Sequence, residues 1–313
     1  VGLQMQVEDY AITTAQLLRN AAGQALISPQ ILIADPDTVW TGPINRTITA
    51  QSKSTTRNIA VYAFDTLELG RFFELNGGVR WEYQHARFRS LTLLFVPPGS
   101  SQVSATAQLP QESRERLFSY RVGAVFHPVQ DVSLYASYGN AKTPSSATVR
   151  LGCGSLSTTT VNGQTSIYEP CQVAPETAKN YEAGVKAGLF GRRLELTAAV
   201  FRNERTNYRV PSNDPALPTV QVLGGKSRVD GIALGASGNI TKAWTIFANY
   251  TYLDSTVLQS VSDYCLRNPG STGTPNCGNS VANPDPQRGS PLVQTPTHSG
   301  SLFTTYKLPF GLE

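Results

Sequence analysis

The feature that most constrains this chain is a regular alternation of short and long connections between segments in which every second residue is apolar. Over 72–84, Phe73, Leu75, Val79, Trp81 and Tyr83 share one parity, and Glu74, Asn76, Arg80 and Glu82 the other. Tyr181, Ala183, Val185, Ala187 and Leu189 alternate with Glu182, Gly184, Lys186 and Gly188. The same pattern sets Leu194, Leu196, Ala198 and Val200 against Arg193, Glu195, Thr197 and Ala199. Trp244, Ile246, Ala248, Tyr250 and Tyr252 likewise alternate with Thr245, Phe247, Asn249 and Thr251. Side chains of a strand point to opposite faces in turn, so a period of two predicts strands with faces of different chemistry.

Short connections are expected near 69–71, 127–130, 190–192, 239–242 and 309–311. Long ones are expected near 19–52, 92–112, 142–175, 208–219 and 258–294, and these are rich in Pro, Gly, Ser, Thr and Asn, residues that favour turns and irregular chain. In an antiparallel meander, successive connections fall at opposite ends of the strands. All the long loops then lie at one end and all the short turns at the other. Bacterial outer-membrane barrels show this asymmetry, with short periplasmic turns and long extracellular loops. The expected fold is therefore all-β: an antiparallel up-and-down transmembrane β-barrel, here a partial barrel of about ten strands. A soluble β-sandwich, whose turns recur every ~8–12 residues, has no reason to keep the asymmetry.

Composition agrees. With 40% hydrophobic residues the chain has enough apolar surface to order. No stretch approaches the roughly 20 apolar residues of a membrane helix, which leaves transmembrane strands open. The net charge of +4 is spread out, and the longest basic cluster is Arg192 with Arg193, so no nucleic-acid footprint is present. Aromatics near strand ends (Trp81, Tyr83, Tyr120, Phe126, Tyr250, Tyr252, Tyr306) fit interfacial girdles. Charges on the opposite parity argue against a closed soluble core.

Val1 is preceded by no Met and opens no basic leader, so the chain reads as mature, processed or truncated. Cys153, Cys171, Cys265 and Cys277 fall as two close pairs in loop-like segments. The even count predicts two local disulfides in an oxidising compartment, with connectivity left open. Zinc is the alternative, but His85, His127 and His298 all lie far from the cysteines in sequence. Neither an HExxH nor a GxSxG motif is present, and no enzyme is expected. The sequons at Asn45, Asn239 and Asn249 are accidental in a bacterial barrel.

The run Pro175-Glu176-Thr177-Ala178-Lys179-Asn180-Tyr181-Glu182-Ala183-Gly184-Val185-Lys186 resembles the PETxxxYEVGxK strand of TonB-dependent siderophore receptors. Val132–Asn140 with Thr143-Pro144-Ser145 is similar to that family's SLYASYG segment. Leu194–Arg202 followed by Arg205-Thr206-Asn207 is similar to its LTAAVF strand. Arg228–Ile232, Tyr250–Asp254, and Tyr62–Thr66 with Gly78–Tyr83 extend the likeness in the right order over about 55–308. The branch that imports ferric catecholates is the most similar.

The resemblance implies an outer-membrane receptor in which extracellular loops and an N-terminal plug capture a ferric siderophore, with TonB energising its passage. Iron travels inside the chelate, so no protein metal site or cofactor is expected. An anionic, aromatic chelate suits Arg for charge and Tyr for ring contacts. The loop candidates are Arg150, Tyr168, Tyr208, Arg209, Tyr264 and Arg267. Arg80, Glu82, Arg121, Glu182 and Lys186 are expected to face the lumen and the plug.

The chain departs from the family's pattern in having no plug-like segment and about ten strands, against about 22 in the plugged transporters. Residues 1–313 are thus expected to form an internal part of the barrel, with the plug and the final strands absent. Alone, such a sheet would leave two edges unsatisfied in lipid. The alternatives are a passive porin, another outer-membrane barrel, or a surface β-sandwich binding module.

Overall fold

The computed structural model describes residues 1–16, 47–93, 105–107, 110–144, 157–161, 164–168, 174–215, 221–271, 276–308 and 310. In chain order the strands are β1 (Gly2–Gln16), β2 (Thr47–Leu69), β3 (Phe73–Leu93), β4 (Ala105–Ala107), β5 (Gln111–Val129), β6 (Val132–Thr143), β7 (Ser157–Val161) and β8 (Gln164–Tyr168). They continue as β9 (Glu176–Leu189), β10 (Leu194–Pro211), β11 (Gln221–Asn239), β12 (Trp244–Gln259) and β13 (His298–Tyr306). One five-residue helix, α1 (Asp263–Arg267), lies between β12 and β13. Ten strands form one sheet in the order β1-β2-β3-β5-β6-β9-β10-β11-β12-β13, with β4 attached to β3 and β7 paired only with β8. Every pair is antiparallel. This is the up-and-down meander that the connection lengths predict, left open as a partial barrel.

The alternation in sequence becomes two unlike faces. Leu3, Val61, Trp81 and Phe118 are register partners across four strands, and each is between 44% and 62% exposed. Val200, Ile232, Tyr252 and His298 continue the same parity on β10 to β13. Apolar area left in water costs about 25 cal/mol per Å², so a face this rich in exposed rings and aliphatic chains must adjoin an apolar medium. Asp65 interrupts the face between Ala63 and Leu67 on β2, and nothing in the structure explains it. The opposite face carries Gln4, Asn58, Arg80, Glu82, Arg121, Asn180 and Glu182. Among the described residues the second sheet is the two-stranded β7–β8 hairpin, and no helix is long and apolar enough to cross a membrane.

Several strands exceed the ~9–11 residues a membrane strand needs; β2 has 23 and β3 has 21. The strands reach into segments expected to be loop. β2 begins at Thr47, paired with Gln16, inside the expected connection 19–52. β10 runs to Pro211, paired with Gln221, so residues 208–211 are strand. Ladder pairing to a neighbour supplies partners for the backbone, and that outweighs the polar composition that signalled a loop. The turn expected near 127–130 tightens to Gln130 and Asp131. The β5–β6 register shifts between Phe126 and Val129, around Pro128, which has no N–H to give to the ladder. The fifth short connection, near 309–311, lies largely outside the described residues.

Candidate functional site

The five charged residues expected to face inward all lie on the polar face, and Arg80 and Arg121 line a common concavity of about 480 Å³. On β2 and β3, Arg80 pairs with Glu82 at 2.9 Å. Arg80 also donates to Gln4 at 3.1 Å, and Asn58 donates to Glu82 at 3.3 Å. Same-strand residues two apart share a face, which brings Arg80 and Glu82 together. Arg121, Glu182 and Lys186 line a further concavity of about 670 Å³ with Asn76, Tyr135 and Asn180. Among the described residues no group of three or more His, Cys, Asp or Glu side chains comes together as a metal site.

Aromatic rings on the polar face lie flat against glycines of the next strand. The Tyr135 ring crosses Gly184, where an added Cβ would stand 2.6 Å from Tyr135 Cζ. Phe201 crosses Gly231 in the same way, at 2.3 Å. A ring folded along the wall leaves the space in front of the wall open, and only a residue without Cβ permits that approach. Alternation alone does not reveal these pairs, because they depend on register between strands distant in sequence.

At the end bearing the long connections, the β10–β11 and β12–β13 segments are joined. Ser262 caps α1, accepting from the Cys265 N–H at 3.2 Å, and donates to the Ser212 carbonyl at 2.5 Å. The Tyr208 hydroxyl, within β10, donates to the Gln259 carbonyl at 2.9 Å. Asp285, 6% exposed, accepts from the Ser260 N–H at 2.8 Å and from the Ser260 hydroxyl. Cys265 and Cys277 form a disulfide with Cα atoms 5.6 Å apart, which rules out the zinc alternative for this pair. Cys153 and Cys171 lie outside the described residues.

Of the loop candidates, Tyr208 and Arg209 thus sit on a strand, a correction set by the β10–β11 ladder. Tyr264 is half-buried and Arg267 exposed, both in α1. Arg267 donates to the Asp263 carbonyl at 3.2 Å. Tyr168 pairs with Ser157 through the backbone of β7 and β8; its side chain and all of Arg150 lie outside the described residues. Sequence reasoning missed Ser212, Ser262 and Asp285. Ser262, directly before Asp263, carries a helix N-cap signal that could have been found.

The family model described as TonB dependent receptor-like, beta-barrel matches residues 17–312. The chain belongs to this family. Over 303 residues it is 28% identical to the catecholate siderophore receptor Fiu of Escherichia coli, covering 94% of this chain and 36% of that protein. A probable TonB-dependent siderophore receptor, PiuA of Acinetobacter baumannii, is 30% identical over 256 residues, covering 82% and 30%. The crystal structure of the ferric-catecholate import receptor Fiu in its closed form superposes with a TM-score of 0.70 at 25% identity, covering 97% of this chain and 38% of that one. The chain spans about a third of the length of these relatives. Its place is the outer membrane, so the apolar face is the lipid face and the polar face lines the lumen. The family transports and does not catalyse. Family membership also sets aside the porin and sandwich alternatives.

Proposed function

We propose that this chain forms part of the wall and loops of a receptor that imports a ferric siderophore of the catecholate class, energised through TonB. The observation that carries the reading is the likeness to Fiu over nearly the whole chain in both sequence and strand arrangement. The remaining strands of the barrel would pair with the free edges of β1 and β13, and a plug would pack against the lumen wall. Arg80, Glu82, Arg121, Glu182 and Lys186 would hold that plug through charge-assisted hydrogen bonds. Arg209, Tyr264, Arg267, Arg150 and Tyr168 would meet the ligand from the extracellular side. Tyr208 would act by clipping β10 to the end of β12. Iron would arrive and leave within its chelate.

The test is uptake of radioactive iron by iron-starved cells with and without the gene. A ferric catecholate should accumulate only in cells carrying the gene, and a ferric hydroxamate should show no difference. Removing TonB should abolish the gene-dependent part. Gene-independent catecholate uptake, or uptake that survives loss of TonB, would contradict the reading.

A further inference from the structure

The lipid face has an upper margin whose charge is unbalanced on three strands. Toward the long loops, Ile59 on β2 gives way to Arg57 and Lys53 at the same parity. Trp81 on β3 gives way to Arg87 and Arg89, and Phe118 on β5 to Arg116 and Arg114. The register keeps these side chains together on the outer side: Arg57 is opposite His85, His85 opposite Arg114, and Lys53 opposite Arg89. All six cations are exposed. On the same stretch of these strands the one carboxylate at this parity is Glu112, 2.6 Å from Arg114, 2.6 Å from His85 and 3.7 Å from Arg87. The margin on β10 to β12 is different. There Asp230 lies 2.6 Å from Arg202 and 3.0 Å from Arg228, and Glu204 and Asp254 add further negative charge at the same parity.

Directly beyond an aromatic and aliphatic band, on the extracellular side, lies the headgroup level of the outer leaflet. Guanidinium groups there meet phosphate oxygens in a fork geometry that an ammonium cannot supply. A ligand in the lumen cannot reach them, because lumen side chains have the opposite parity. We propose that the outer margin of β2, β3 and β5 binds phosphate-bearing lipid headgroups of the outer leaflet. This rests on the outer-membrane placement and not on the siderophore reading.

The test is a binding titration of the full-length protein in neutral detergent with a fluorescent bis-phosphorylated glycolipid. The arms are the same glycolipid stripped of phosphate, and inorganic phosphate as competitor. Wild type should bind the phosphorylated lipid, weaken steeply with added salt, and bind the stripped lipid poorly. Arg57→Gln/Arg89→Gln/Arg116→Gln should bind on the order of a hundredfold more weakly at low salt, from the contribution of each cation near an anionic surface. Arg71→Gln/Arg193→Gln, at the periplasmic turns, should match wild type. The triple lysine variant should stay within about tenfold of wild type, since charge is kept and only the fork is lost. With the salt dependence, it decides the matter if the glutamine variant does not fold. Equal binding of stripped lipid, an unaffected glutamine variant, or displacement by inorganic phosphate at the lipid's own concentration would each overturn the proposal.

Discussion

The Tyr135 hydroxyl donates to Glu182 Oε1 at 2.7 Å, with the ring laid across Gly184 between two strands that pair residue by residue. Backbone pairing sets the position of Gly184, the missing Cβ admits the ring, and the ring directs the hydroxyl to the carboxylate. Gly184→Ala forces the ring away, and the Ala198 carbonyl only 2.7 Å from the added Cβ leaves little room on the other side. The full-length protein should lose about 1–3 kcal/mol, the range for overpacking, seen as a lower unfolding midpoint. Tyr135→Phe should lose only about 1 kcal/mol, the net worth of one hydrogen bond. Equal losses would place the energy elsewhere.

The disulfide and Asp285 should govern the β12–β13 segment and leave the wall intact. Cys265→Ser/Cys277→Ser opens a loop of sequence separation 12, a loss of about 3 kcal/mol of chain-entropy stabilisation. Limited proteolysis should cut within 260–290 far faster than in wild type, while hydrogen exchange in β3 and β5 stays unchanged.

Asp285→Ala removes the acceptor for two Ser260 donors in a buried setting, a cost of about 1–3 kcal/mol for groups left without a partner. Amide exchange at Ser260 should accelerate accordingly. Asp285→Asn should show a smaller effect because one amide oxygen can still accept. Unchanged exchange in both variants would contradict the assignment.

Charge tolerance should differ sharply between the two faces. Leu234→Arg, on the lipid face, should destabilise the protein in liposomes by about 2–4 kcal/mol, the cost of a cation near the middle of the bilayer. Thr251→Arg, on the lumen face, should be close to neutral. Denaturant titration of the reconstituted protein measures both.

The wall was legible in the sequence because its period-two pattern is local: Trp81 and Arg80 are neighbours, and their opposite faces follow from the strand alone. The alternating connection lengths gave the antiparallel order for the same reason. Strand ends were less legible. Tyr208 belongs to β10 because Gly225 on β11 pairs with it, a relation its own neighbourhood does not encode. Asp285 reads as a loop residue between prolines, and only the fold brings it 25 positions back to Ser260. The charged residues were legible as one polar face, but the Arg80–Glu82 pair and the concavity lined by Arg121, Glu182 and Lys186 needed the register.

One face of the wall meets lipid and the other water, and spin-label accessibility distinguishes the two. Nitroxides placed singly at 79, 80, 81 and 82 of the reconstituted full-length protein should alternate. Positions 79 and 81 should be accessible to oxygen and shielded from a water-soluble nickel chelate, and positions 80 and 82 the reverse. Accessibility that rises or falls smoothly along the four positions, with no period of two, would contradict the account.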